Sequence, residues 1–387
     1  MTLRNRLFAR FILPICAAIL LTSAWIANAG DLNPPIGPVA PTHKTLTEVE
    51  PRIAVNAVNT PGSPTAVFVI SQPGSYYLMG NVTGISGKSG IEVASSNVTL
   101  DLRGFALISA YEGVSAITVS TPVTNCAIRD GQISGWTNWG IDAYDARNCR
   151  IDRVSVSDCA NGILTGNNAV VRDCVLFDTG ADGLWVGAGS VVSGCASTLN
   201  DESGIVLEDG CTLTDSTCWH NGEHGIRAGN QAQISHCNVS FNIEGGINAL
   251  ANSLILDSVI SSNGGSGIFI SSGIVQGCTV NENGYDGIIT YGAATIAGNI
   301  CTGNGHTASI PVAGIVASGS GSRIEANTVC NNDDAGIRVL SGGNLVIRNA
   351  TSGNTTNYDI SAGNTVGPIV NSGNISTSSN PHSNYEY

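Results

Sequence analysis

Residues 183–266 divide into four segments of equal length: GLWVGAGSVVSGCASTLNDES (183–203), GIVLEDGCTLTDSTCWHNGEH (204–224), GIRAGNQAQISHCNVSFNIEG (225–245) and GINALANSLILDSVISSNGGS (246–266). Each opens on glycine followed by Ile or Leu. The doublet stands at Gly162, Gly183, Gly204, Gly225, Gly246 and Gly267, and continues at Gly287, Gly314 and Gly336. Gly140 is an earlier member, with Gly90 and Gly113 as weaker ones. A fixed repeat of about 20 residues is the signature of a solenoid, in which each unit buries its apolar face against its neighbours.

The alignment columns identify the kind of solenoid. One place after the glycine come Ile163, Leu184, Ile205, Ile226, Ile247 and Ile268; nine places after it come Val171, Val192, Leu213, Ile234 and Ile255. Twelve places after it, Cys174, Cys195, Ser216, Cys237 and Ser258 form a column. Each unit thus offers three short apolar strands separated by turns, with like residues stacked on like. Four places before the glycine runs a column of Asn200, Asn221, Asn242, Asn263 and Asn283, with Asn332 later. An amide can donate to one neighbour and accept from the other, so stacked asparagines satisfy each other inside a turn. Leucine-rich repeats share the period but need more leucines and a helical or irregular return, and no window here has helical periodicity. The expected fold is all-β: a single-stranded right-handed parallel β-helix of about 12 coils.

The repeats resemble those of the pectin-lyase-like right-handed β-helix superfamily, whose units often read "nGI…n". The stretch from Val67 to Ile108, VFVISQPGSYYLMGNVTGISGKSGIEVASSNVTLDLRGFALI, is similar to the entry segment of such proteins, a capping "pGsYyL" strand followed by "VTLDlrGf". The resemblance covers residues 63–372 and implies the fold. It does not imply an activity, because this fold hosts lyases, hydrolases, epimerases, adhesins and binding proteins. The family's active-site patterns are absent in the required company. Of the NTD segment, Asp pair and GHG of polygalacturonase-like hydrolases the chain has only Glu223-His224-Gly225 and a lone Asp333-Asp334 pair, and Asn380-Pro381-His382 lacks the Asp of the epimerase DPH.

The outer segments have other roles. Arg4, Arg6 and Arg10, an apolar run from Phe11 to Ile26 and Ala27-Asn28-Ala29 match an export signal over residues 1–29. A secreted or periplasmic protein follows, with no membrane span in the mature chain. Residues 30–62 form a Pro- and Thr-rich linker or cap, and residues 373–387 a polar tail expected to fray.

Charge narrows the partners. The chain has 16 basic and 29 acidic residues; loss of the three signal arginines leaves 13 basic, a net charge near −16. That excludes nucleic acid, which needs a basic footprint, and suits a surface that holds cations. Of twelve cysteines, eleven remain without Cys16. Their recurrence beside aliphatic positions favours a buried column of small hydrophobes, with a Cys174–Cys195 bridge as the alternative.

Within the first strand of a coil, the second and fourth places after the glycine face outward. That face carries Trp185, Arg227, Asn248 and Phe269, with Glu208 beside them, a set suited to saccharide: aromatic faces cover apolar sugar faces and charged groups orient them. Glu202, Glu223 and Glu244 form a second ladder, which would either splay into water or hold a cation, calcium being the natural ion. Asp182, Ser203 and His224 have the letters of a hydrolase triad but the wrong order in space. His224 and Arg227 are the better acid–base candidates. Trp136 and Trp139 fall in one insertion and His306 in another. Two readings lead; a third, a periplasmic metal-handling protein, is poorly supported by the cysteine and histidine placement and by only two methionines. In the first, the protein is an exported binding or surface-structural β-helix with polysaccharide or cell-surface glycan as ligand. In the second, it is a polysaccharide lyase or glycoside hydrolase working through His224 and Arg227.

Overall fold

The glycine that opens each coil is required by close approach. A Cβ on Gly183 would lie 2.2 Å from Ser197 Oγ and 2.8 Å from the Gly204 carbonyl oxygen; on Gly204 it would lie 2.7 Å from the Gly225 oxygen. Three further residues per coil turn the chain with left-handed backbone: Asn168, Asp173 and Asp178 in one coil, Gly189, Gly194 and Leu199 in the next, Gly210, Asp215 and His220 in the next. Gly, Asn and Asp dominate these corners because they tolerate positive φ most cheaply. The result is a short strand, a turn, a strand, a sharp bend, a strand and a turn back to the next glycine.

A computed structural model describes residues 50–120, 122–307 and 310–387; the expected export segment lies outside them. The described chain is a parallel β-solenoid with almost no helix. One sheet holds fourteen strands, one per coil, from Ala66–Ile70 to Thr356–Ile360. Its register keeps like on like: Leu184, Ile205, Ile226, Ile247 and Ile268 are successive partners. The two other strands of each coil form a second, twenty-eight-stranded sheet. They fuse into eight-residue strands at Ala127–Ser134 and Arg150–Ser157 and are separated by a bend in later coils. The inward residues make one continuous core, and nearly all of them are fully buried. Trp136, from the first insertion, belongs to this core, its indole N–H donating to the Leu107 carbonyl oxygen at 3.1 Å. Among the described residues no helix is long and apolar enough to cross a membrane.

The asparagine column behaves as its chemistry requires. The Asn200 amide nitrogen donates to Asn221 Oδ1 at 2.8 Å, Asn221 to Asn242 at 2.9 Å, Asn242 to Asn263 at 2.8 Å and Asn263 to Asn283 at 2.9 Å. The ladder continues through Asn304, Asn332 and Asn354. Each Oδ1 after the first also accepts the backbone N–H of the preceding asparagine, as Asn242 does from Asn221 at 3.0 Å, while Asn200 accepts that of Thr179. A second ladder occupies the column of Cys174 and Cys195. Beyond Cys278 that column switches to Asn299, Asn327, Asn349 and Asn384.

Cys174, Cys195, Cys237 and Cys278 are buried thiols of this column, and all eleven described cysteines are free. Burial pushes the Cys237 and Cys278 thiols up to about 11, so they carry no thiolate at neutral pH and pack as small hydrophobes.

Charges on the first coils are also stacked in register. Asp101, Arg129, Asp152 and Arg172 are successive cross-strand partners. Beside them Arg103, Asp130, Arg153 and Asp173 occupy left-handed corners with the opposite alternation. Arg129 bonds Asp101 at 3.1 Å and Arg153 bonds Asp130 at 2.6 Å. A slip of one coil would set like charges against each other, so this checkerboard opposes misregistration.

The polar tail does not fray. Asn384–Glu386 forms a strand that pairs with Ala350–Ser352 and Ile369–Val370. Asn384 is fully buried and ends the second asparagine ladder, donating to the carbonyl oxygens of Val346 and Gly367 at 3.0 Å. The last coil presents unpaired strand and amide groups, and the tail satisfies them. Composition alone, which suggested a loose end, carries no information about that edge.

Candidate functional site

The outward column of the fourteen-stranded sheet runs Leu164, Trp185, Val206, Arg227, Asn248, Phe269 in successive register. Leu164 and Val206 are buried although they face outward. Val206 lies between the larger side chains of Trp185 and Arg227, which are its direct partners. Trp185 and Phe269, expected to stand exposed, are half-buried, while Arg227 and Glu208 are exposed.

The Trp185 indole N–H donates to Glu208 Oε1 at 3.1 Å. This pair separates two depressions and lines both. One, of about 360 Å³, is lined by Tyr144, Asp145, Arg147 and Asn167 as well. The other, of about 260 Å³, is completed by Arg227, Asn248 and Leu250. The hollows exist because the column four places after the repeat glycine reads Tyr144, Gly166, Gly187, Glu208, Gly229, Leu250. Gly187 cannot be larger: its Cβ would lie 2.6 Å from the Gly166 carbonyl carbon. Side chains therefore rise at the rim and are missing from the floor. Tyr144, Asp145 and Arg147 were not singled out from sequence; extending that column back to Gly140 would have reached Tyr144.

The opposite end of the same strands carries the acid–base residues. Asp182 Oδ1 accepts the Ser203 backbone N–H at 3.0 Å, and the Ser203 hydroxyl donates to Glu223 Oε2 at 3.1 Å. Arg227 lies 4.0 Å from Glu223. His224 Nδ1 accepts the Gly245 N–H at 3.1 Å, which places the proton of the neutral ring on Nε2, 3.2 Å from Glu244 Oε2. Asn248 Nδ2 is 3.3 Å from the same nitrogen. Ser203 therefore serves Glu223 and not His224, and no triad forms. His224 and Arg227 each face a different glutamate. Glu202 is exposed, and Glu223 and Glu244 have separate partners. Among the described residues no three His, Cys, Asp or Glu side chains converge on a point that could hold a metal.

Asp182 is the perturbed group of this edge. Burial pushes its carboxyl up to about 6, against the opposing pull of the Ser203 N–H and of Arg227. Asp286, half-buried and accepting the Ala313 N–H, is raised to about 6 in the same way. The folded state thus binds these protons more tightly than the unfolded chain, whose carboxyls titrate near 3.8. The native state gains stability as pH falls from about 6 to about 4 and loses it as pH rises through that window. Asp182→Asn keeps an acceptor for Ser203 and removes the buried charge. It is expected to raise the melting temperature at pH 7 and to flatten the pH dependence between 4 and 6, leaving the share due to Asp286; melting curves across that window check it.

Comparison with known proteins gives a family and a fold. The family model described as "Right handed beta helix region" matches residues 68–226 and 197–313, well over half of the chain. No curated protein matches. Among solved structures, the A-module of Azotobacter vinelandii mannuronan C-5 epimerase AlgE4 is similar at 17% identity and a TM-score of 0.50, covering 76% of this chain and 91% of that one. The catalytic domain of a GH87 α-1,3-glucanase variant, solved with tetrasaccharides, is similar at 12% identity and a TM-score of 0.50, covering 92% of this chain and 70% of that one. At such identities the likeness is one of fold.

Proposed function

We propose that this chain, which belongs to the right-handed β-helix family, binds polysaccharide along the trough formed by Tyr144, Asp145, Arg147, Trp185, Glu208, Arg227 and Asn248. The observation that carries the reading is the Trp185–Glu208 pair, shared by the walls of two adjoining hollows. An indole held by its own N–H offers a fixed apolar face for a sugar ring. The carboxylate, the two guanidinium groups and the amides of Asn167 and Asn248 surround it with hydroxyl partners. Two β-helix proteins of similar fold support the class of ligand, since one is named for mannuronan and the other was solved with tetrasaccharides. An exported location, expected from the first 29 residues, places the protein where such polymers are. Calcium is a test condition for the glutamate ladder and not part of the reading.

The test is a glycan array on the mature protein, with and without calcium, followed by an assay of each bound glycan for new unsaturated or reducing ends. Trp185→Ala is expected to weaken binding about tenfold or more, the loss of one buried aromatic contact. Glu208→Gln keeps an acceptor for the indole and is expected to cost less than Glu208→Ala. Binding indifferent to Trp185→Ala would place the ligand elsewhere. Turnover abolished by His224→Ala or Arg227→Ala would turn the binding site into an active site.

A further inference from the structure

Beyond Asn248, where the second hollow ends, the outward column continues. Asn248 is the register partner of Phe269, and Phe269 of Ile289. The Phe269 ring packs against that of Tyr291, with centroids 5.4 Å apart and planes inclined at 59°. Tyr291 belongs to the coil after Phe269 and is 60% exposed, so the pair presents an aromatic ledge to solvent on the same face as Trp185. The side chains around it (Asn248, Leu250, Ser271, Ile289) carry no charge, in contrast to the guanidinium and carboxylate groups around Trp185. From Trp185 the register passes through Val206, Arg227 and Asn248 to Phe269, four steps. At about 4.8 Å per coil, the two aromatic stations stand about 19 Å apart along the solenoid axis.

We infer that Phe269 and Tyr291 form a second, distal subsite for the same glycan, one that takes an uncharged sugar face and is reached only by a chain extended parallel to the axis. The inference rests on the polysaccharide reading of the trough. It adds a length requirement: a saccharide shorter than the separation engages Trp185 or the ledge, and a longer one engages both. Once one station is occupied, the second contact is intramolecular, so affinity rises in a step when the chain can span them. The ligand recognised is then a polymer segment lying along the coils and not a chain end or a free sugar.

The experiment uses the mature protein and two size-graded ladders, mannuronan oligosaccharides and α-1,3-glucan oligosaccharides, with calorimetric affinities for the unaltered protein, Trp185→Ala and the double variant Phe269→Ala/Tyr291→Ala. The expected result is a step of about tenfold or more in affinity as length passes the separation. The double variant should remove that step and the share of short-chain binding that belongs to the ledge, leaving the Trp185-dependent share in place, while Trp185→Ala weakens that second share. Circular dichroism confirms the fold of each variant. Trp185-dependent binding that rises smoothly with length and ignores the double variant overturns the distal subsite alone. Absence of binding by both ladders, or binding indifferent to Trp185, overturns the trough reading together with it.

Discussion

Replacing Asn242 by alanine is expected to lower stability by about 2–4 kcal/mol, although the side chain touches no surface and no ligand. Asn242 is 1% exposed in the middle of the ladder. Its Oδ1 accepts both the Asn221 backbone N–H and the Asn221 amide, and its own amide donates to Asn263 and to the Cys218 carbonyl oxygen. Alanine leaves the Asn221 N–H and one Asn221 amide hydrogen buried without an acceptor, and each such orphan costs about 1–3 kcal/mol. Asn242→Asp tests the direction of the ladder. Its carboxylate still accepts from Asn221 but faces the Asn263 and Cys218 oxygens with nothing to donate. Burial then raises its pKa, so the variant should regain stability as pH falls and the acid acquires a proton to donate. Asn230→Ala, a half-buried control whose amide donates to Asp209 and whose oxygen accepts the Ala251 N–H, is expected to cost no more than about 1 kcal/mol, because solvent can replace these partners. Thermal and urea melts read all three. Equal effects of Asn242→Ala and Asn230→Ala would mean that the ladder contributes nothing beyond occupying space.

Deleting residues 373–387 is expected to do more. The deletion removes the strand Asn384–Glu386 from Ala350–Ser352 and opens the edge of the second sheet. It strips the acceptor from the Asn349 backbone N–H, bonded to Asn384 Oδ1 at 3.0 Å, and from the Asn349 amide at 3.1 Å. It also takes the Tyr385 carbonyl oxygen from the Tyr358 hydroxyl, which donates to it at 3.1 Å. An open strand edge above a stack of apolar coils is a template for another chain, and solenoids need a capped end to stay soluble. The truncated protein is expected to form large assemblies at concentrations where the full chain is monodisperse, as read by size-exclusion chromatography with light scattering. Asn384→Ala retains the strand and breaks only the ladder end, so it should melt earlier without assembling. A truncated protein that stays monodisperse and melts like the full chain would refute the capping role of the tail.

These two effects mark what could be read in advance. The column of Asn200, Asn221, Asn242, Asn263 and Asn283 was visible because a self-satisfying amide ladder needs one residue type at one phase, and periodicity displays phase directly. The same holds for the inward Ile and Cys columns. The order of the tail is not legible in sequence because the edge it completes, at Asn349 and Ala350–Ser352, lies over thirty residues away. A polar composition looks the same whether or not an edge waits for it. The candidate site was half legible. Trp185, Glu208, Arg227, Asn248 and Phe269 follow from counting outward positions, but the hollows between them depend on Gly166, Gly187 and Gly229, whose meaning is an absence of volume beside a neighbouring coil.

The repeat by itself determined the solenoid, the order of strands and corners, and which residues face the core, because each coil sees only its neighbours and one period states all its contacts. Tertiary structure decided what lies outside that nearest-neighbour rule. It alone showed which outward residues are covered, that Ser203 bonds Glu223 and not His224, how Trp185 is held by Glu208, and where the last strand closes the end. Those outcomes depend on side-chain length and direction across coils and on contacts distant in sequence, and a period of 21 residues contains neither.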